Sequence, residues 1–284
     1  MWDRDAVAAR AARMRADIVE MIHEAGSGHP GGSLSAADIV ATLYFGDVLR
    51  HDPTNPGMEP RDRFILSKGH AAPVLYSALA EAGYFGRDKL LTLRKLGSML
   101  QGHPDCKKTP GVEVSTGSLG QGLSISAGLA VGLRGGDHPE NVVDDRTVFC
   151  LLGDGEIQEG QVWEAAMFAA HEGLANLVAI IDHNGLQIDG ACTEVMCLGT
   201  VADKFKAFDW HVIEIDGHDL DAIHDALLDA KAYTDGPVVI VAHTIKGKGV
   251  SFMEGQAGWH GKAPSADEVK QALAELGVTE GSPA

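Results

Sequence analysis

"FCLLGDGEIQEGQVWEAAMFAAHEGLANLVAIIDHNG" occupies residues 149–185. An apolar run ends at Gly153-Asp154-Gly155, a helix-compatible stretch follows, and a second apolar run ends at Asp182-His183-Asn184. Short apolar runs bounded by turn residues read as strands buried on both faces. Two such strands joined through a helix form a βαβ unit, in which the strands run parallel. Parallel sheets are covered by helices on both faces, so the stretch predicts an α/β fold with a doubly wound, mainly parallel sheet.

Outward from this unit, strands are expected at 64–66, 147–152, 177–181, 211–215 and 238–242, with helices at 119–133, 161–171 and 220–230. Near the N-terminus, Val7, Ala11, Met14, Ile18 and Met21 recur at helical spacing, which predicts a first amphipathic helix. Its arginines suggest a transit peptide, but Asp3, Asp5, Asp17 and Glu20 are foreign to such acid-poor segments. Long connections rich in Gly, Pro, His or Asn cover 51–62, 97–121, 183–203 and 246–264. Loops of that length in a compact α/β domain usually bind something. Ser265 and Glu268 form a capping-box pattern for a closing helix that Gly277 ends, followed by a short polar tail. The expectation is one domain over residues 1–284.

The formal net charge of -17 argues against nucleic acid or an anionic membrane as the main partner, because phosphate surfaces select clustered Lys and Arg. No apolar run approaches the roughly 18 residues of a membrane span. Cys106, Cys150, Cys192 and Cys197 resemble neither a disulfide framework nor a zinc site. Reduced thiols and a cytoplasmic location are expected.

Ligands of open parallel sheets bind at the carboxyl ends of the strands. Asp154 and Asn184 end consecutive strands and should lie side by side. One carboxylate, one amide oxygen and a loop carbonyl make a hard oxygen set, suited to Mg2+ (or Ca2+ or Mn2+) sharing its shell with phosphate. Gly153 and Gly155 permit close backbone approach, and the helix that follows offers free N–H groups to an anion. Taken singly, Gly-Asp-Gly is also a tight turn and Asn184 also a cap; their pairing at neighbouring strand tips favours the metal.

The Gly-Asp-Gly element with Asn184 thirty residues later resembles the thiamine-diphosphate signature. The surrounding motifs resemble one family more closely. "SGHPGG" at 27–32, "SKGH" at 67–70, "GHP" at 102–104, "STGSLGQG" at 115–122, "NGLQIDG" at 184–190 and "WHGKAP" at 259–264 are similar to transketolase, in order along nearly the whole chain. The likeness covers the N-terminal, diphosphate-binding half of that enzyme, so the chain resembles the N-terminal subunit of a split transketolase.

The resemblance implies metal ligation by Asp154, the Asn184 side chain and the Leu186 carbonyl, with the Gly155 N–H on the diphosphate. Gly117, Ser118 and Leu119 would pass beside the cofactor rings, Ser118 standing where many relatives have proline. Glu159 and Glu164 match acidic positions near the contact between subunits, although a solvated or capping role serves them equally. His70 and His260 would lie by the diphosphate, and His29, His103 and His260 would contact the substrate. Neutral imidazoles suit such work, donating to phosphate or hydroxyl and passing protons near neutral pH. A zinc site is the competing reading of these histidines, and their spacing fits no zinc pattern. His218, Lys246 and Lys248 stay unassigned, the lysines being either a phosphate-facing pair or a solvated loop.

The implied activity is transfer of a two-carbon ketol unit from a ketose phosphate to an aldose phosphate. A partner chain would supply the pyrimidine-binding domain and its activating glutamate, in an α2β2 heterotetramer. The rivals are another thiamine-diphosphate subunit, either like deoxyxylulose-phosphate synthase or like the α chain of a 2-oxo-acid dehydrogenase, and a non-catalytic cofactor-binding module.

Overall fold

Alternation along the strands sorts their side chains into two separate cores. In a computed structural model, which describes residues 2–134 and 145–278, the elements run α1 (Arg4–Ala25), α2 (Pro30–Ser35), α3 (Ala37–Phe45), β1 (Arg63–Leu66) and α4 (Ala72–Ala82). Then come α5 (Gln121–Leu133), β2 (Val148–Gly153), α6 (Gly160–His171), β3 (Leu177–His183), β4 (Leu186–Gln187), β5 (Gly190–Ala191), α7 (Cys192–Val195) and α8 (Val201–Ala207). The order closes with β6 (His211–Asp216), α9 (Leu220–Ala232), β7 (Val238–His243) and α10 (Ala266–Glu275). The main sheet has the order β1-β2-β3-β7-β6, parallel at every pairing, and β4 with β5 forms a small antiparallel hairpin.

Phe64, Phe149, Leu151, Val178, Ile180 and Ile240 pack into one core with residues of α1, α3, α4, α9 and α10. Their strand neighbours Ile65, Cys150, Leu152, Ala179, Ile181 and Val239 pack into the other, with α5, α6 and α8. Period-two side-chain direction makes an apolar run serve both faces at once. The doubly wound expectation holds, and the five expected strands and three expected helices all form, with ends differing by a few residues.

Helix α1 starts at Asp3, whose side chain accepts from the Ala6 N–H, and its five periodic apolar residues are buried. It lies deeper than an amphipathic surface helix. Arg15 and Asp17 are buried as well, Arg15 in a two-pronged ion pair with Asp38 and Asp17 accepting from Ser77. Helices α2, α3 and α4 carry no helical period in their sequence, for a physical reason. Every side chain from Pro30 through Tyr44, and from Ala71 through Ala80, is buried, so there is no polar face to generate a helical period. The long connection 183–203 is not structureless, since it folds into the β4–β5 hairpin and α7. At the end, the Ser265–Glu268 capping box forms, and Gly277 in the left-handed region donates to Ala274 to terminate α10. The polar tail lies outside the described residues. Among the described residues, no helix is long and apolar enough to cross a membrane.

Candidate functional site

Four adjacent strands, β1, β2, β3 and β7, deliver their carboxyl ends to one cavity of about 400 Å³. Lys68 follows β1, Asp154 follows β2, Asn184 follows β3 and Lys246 follows β7, and all four line it. The register sets Gly153 opposite Asp182, and the Asp154 N–H donates to the Asp182 carbonyl at 3.3 Å. The two strand tips therefore sit side by side, as the βαβ reading requires.

Asp154 is buried, and its carboxylate accepts from the backbone N–H groups of Gly155 at 2.8 Å and of Gly185, and from the Cys192 thiol. Among the described residues no Lys, Arg or His is ion-paired with it. Burial, reinforced by the neighbouring Asp182 carboxylate, raises its pKa, so the position calls for a cation. Asn184 points Oδ1 at the Leu186 N–H (3.1 Å) and donates through Nδ2 to Asp182 (3.2 Å). The Leu186 carbonyl accepts from the Lys246 ammonium at 3.1 Å, and so already faces positive charge. Carboxylate, amide oxygen and carbonyl in one cavity fit a hard divalent cation.

Three imidazoles line the same cavity. His29, His70 and His260 lie with ring centroids 5.2–5.5 Å apart. His29 is placed by the start of α2, where its carbonyl accepts from Ser33 at 2.7 Å; His70 sits in the turn before α4. His260 follows the turn Ala257–Trp259, and its Nδ1 is 2.8 Å from the Lys246 ammonium. Burial lowers all three pKa values, aided by nearby cations: His29 to about 4 beside Arg94, His70 to about 2 beside Lys68, His260 to about 3 beside Lys246. Three neutral rings face the cavity at physiological pH. His103 lines it too, lowered by burial and Arg94, and lies against Gly117. A Cβ at Gly117 would come within 2.8 Å of the His103 ring, and its φ of 140° suits glycine alone.

Leu119 and Gly155 line the cavity beside Gly117, and Ser118 lies in the same turn, its carbonyl accepting from the Gln121 N–H. Thus the chosen residues converge, and among the described residues no group of three or more His, Cys, Asp or Glu is arranged to hold a metal. Glu159 borders the cavity, whereas Glu164 is exposed on α6. All four cysteines are free.

The structure separates the unassigned residues. Lys246 is buried at the cavity floor, its pKa lowered to about 8 by burial and Lys68. Lys248 lies away from it, 3.7 Å from Glu254. His218 joins Asp38 (2.8 Å) to the Ile245 N–H (2.8 Å), bracing the loop that carries Lys246.

Three residues were missed by sequence reasoning. Asp182, fully buried, accepts from Lys68, Ser35, Thr244 and Asn184; burial opposes its ionisation, but Lys68 prevails and holds its pKa low. Lys68 also donates to the Gly32 carbonyl at 2.8 Å. Glu156 ties three loops together, accepting from Ser67, Gly120 and Gly153 at 2.5, 3.0 and 3.1 Å. A signal existed for Asp182 alone: a charge inside an apolar strand needs a buried partner.

A family model described as "Transketolase, thiamine diphosphate binding domain" matches residues 6–283. The chain is 46% identical over 258 residues to the 6-deoxy-6-sulfo-D-fructose transketolase subunit SqwG of Clostridium sp., covering 91% of each chain. It is 41% identical to one of the apulose-4-phosphate transketolase subunits of Phocaeicola vulgatus, covering 92% of this chain and 90% of that one. Against human transketolase the identity is 42%, over 93% of this chain but 41% of the human enzyme. A crystal structure of transketolase from Pichia stipitis superposes with a TM-score of 0.91 at 35% identity, over 97% of this chain and 41% of that one. The chain thus spans most of the two subunits and about two fifths of the longer enzymes.

Proposed function

The chain belongs to the transketolase family, as a thiamine-diphosphate-binding domain, and on that premise we propose that it is the cofactor- and metal-holding subunit of a two-chain transketolase. One observation carries this reading: Asp154, Asn184 and the Leu186 carbonyl share a cavity with three neutral histidines at the carboxyl ends of adjacent parallel strands. Those three oxygens would hold Mg2+, or Ca2+ or Mn2+ in its place, against the diphosphate of thiamine diphosphate. The Gly155 N–H, His70 and His260 would face the diphosphate. Gly117, Ser118 and Leu119 would form the wall beside the rings.

When bound, the cofactor supplies a nucleophilic carbon able to accept a two-carbon ketol unit from a ketose phosphate and release it to an aldose phosphate. The protein's share is to bind, orient and exclude water. His29, His103 and His260, held neutral, would offer hydrogen bonds to carbonyl and hydroxyl oxygens of the sugars. Burial of the floor around Lys68 and Asp182 keeps those groups preorganised.

The names of the two subunit relatives support a second chain. We place on it the pyrimidine-binding and C-terminal domains, with residues 1–284 as one domain, the two chains pairing as an α2β2 heterotetramer in the cytoplasm. A ketose other than the common sugar phosphates is favoured by those relatives' names, which cite 6-deoxy-6-sulfofructose and apulose 4-phosphate.

Calorimetric titration of thiamine diphosphate into the reconstituted pair, with and without Mg2+, tests the site. Affinity should depend on Mg2+ and fall at least tenfold (about 1.4 kcal/mol or more) in Asp154→Ala. Unchanged affinity would remove the metal site. Turnover of xylulose 5-phosphate, apulose 4-phosphate or 6-deoxy-6-sulfofructose by this chain alone would refute the two-chain reading.

A further inference from the structure

Arg94 occupies a conformation that arginine rarely adopts. Its φ is 60°, in the left-handed region, and its N–H donates to the Leu100 carbonyl at 2.8 Å. The guanidinium packs close beside Gly102, where a Cβ would come within 3.1–3.3 Å of Nε, Cζ and Nη2. Among the described residues no carboxylate lies within ion-pair distance of it. Its contacts are instead Ser27 Oγ at 3.4 Å and His29 Nδ1 at 3.5 Å. Backbone strain that is not repaid by an ion pair points to a role for the side chain where it stands.

A guanidinium has five donors and no acceptor, so any ring nitrogen it meets must present a lone pair. We propose that Arg94 is a positioning residue that fixes the tautomer of His29, keeping Nδ1 unprotonated and presenting Nε2–H to the cavity as a donor. His29 lines the cavity, and the Cδ2–Nε2 edge of its ring lies 3.6–3.7 Å from where a Cβ on Gly261 would stand. His260 repeats the arrangement, its Nδ1 meeting the Lys246 ammonium, another group with donors only. Burial and the guanidinium also keep His29 neutral, so a single tautomer persists through the physiological range. The cavity therefore offers His29 as a donor to an oxygen lone pair. Which oxygen it meets rests on the function proposed above; the tautomer does not.

The test reads the tautomer directly in the chain of residues 1–284, without cofactor, partner or sugar. Long-range proton–nitrogen correlation spectra of the 15N-labelled protein at neutral pH distinguish Nδ1 from Nε2, with His29 assigned by its loss in His29→Asn. The expected result is Nε2–H in excess by about fivefold, the scale of one net hydrogen bond. Arg94→Met should bring the two tautomers toward equality, and Arg94→Lys should restore part of the preference. Arg94→Gly relieves the left-handed strain while deleting the guanidinium, so it should fold and lose the preference as Arg94→Met does. A proton on Nδ1 in the wild type, or the wild-type pattern surviving in both Arg94→Met and Arg94→Gly, would overturn the assignment. Absence of transketolase turnover in the reconstituted pair would count against the proposed function and leave this result standing.

Discussion

Asp182 and Lys68 form the ion pair on which the cavity floor rests, with side chains 0% and 2% exposed. Removing one partner of such a pair strands the other charge in a low-dielectric interior. Asp182→Asn should therefore cost about 3–5 kcal/mol in urea unfolding. Adding Lys68→Met should recover part of that loss, giving a non-additive cycle. A fully additive pair would show that the two charges do not support each other. The same carboxylate accepts from Asn184, so the single variant should also weaken thiamine-diphosphate binding without touching Asp154. The pairing itself is not legible along the chain, where Lys68 and Asp182 stand 114 residues apart. By contrast, Asp154, Asn184 and the four loop histidines were legible, because their glycine- and proline-flanked motifs are local.

At the scale of elements, α5 passes unusually close to the end of β1. A Cβ on Gly122 would collide with the Ser67 side chain and come within 2.7 Å of its Cα. Ser67 is the residue that donates to Glu156, which in turn holds Gly120 and Gly153. Gly122→Ala should thus destabilise by about 1–3 kcal/mol or more, as overpacking does. It should also loosen the 117–120 turn beside the cavity. Gly128→Ala, on the same helix with nothing within 4 Å, should instead stabilise by roughly 0.5–1 kcal/mol. Thermal or urea unfolding of the two variants compares helix propensity with close packing in one element. Sequence periodicity found α5, but its start is Gln121 rather than residue 119, because Gly120 at φ 81° still belongs to the turn. The short helices α2, α3 and α4 were not found, since a segment buried all round carries no period to detect.

For the whole molecule, the histidine wall sets an acid limit. His29, His70 and His260 stay neutral in the folded chain down to about 4, 2 and 3, whereas in the unfolded chain each protonates near 6.5. Below 6.5 the unfolded state binds more protons, so stability falls as pH drops toward 4. Asp17 acts oppositely: burial raises its pKa to about 6, and its protonation favours the folded state over part of the same range. His51 and His103, also lowered by burial, act with the wall, and Asp154 and Glu156, raised by burial, act with Asp17; the histidines outnumber the acids and leave a net loss on acidification. The melting temperature should decline from pH 7 to pH 4.5, and His70→Asn should flatten that decline. A melting temperature that is level or rising over this interval would show that these rings are solvated and charged.

The linear sequence determined the parallel α/β architecture, the strand tips that carry Asp154 and Asn184, and the loops that carry the histidines. Each of these is written in short-range terms: apolar runs, turn residues and motif spacing. Tertiary structure alone decided that Lys246 serves the cavity and Lys248 does not, that Asp182 and Glu156 hold the loops in place, and that Arg94 turns toward His29. Those outcomes depend on which distant side chains share a buried volume, where an unpaired charge or donor is too costly to leave unanswered.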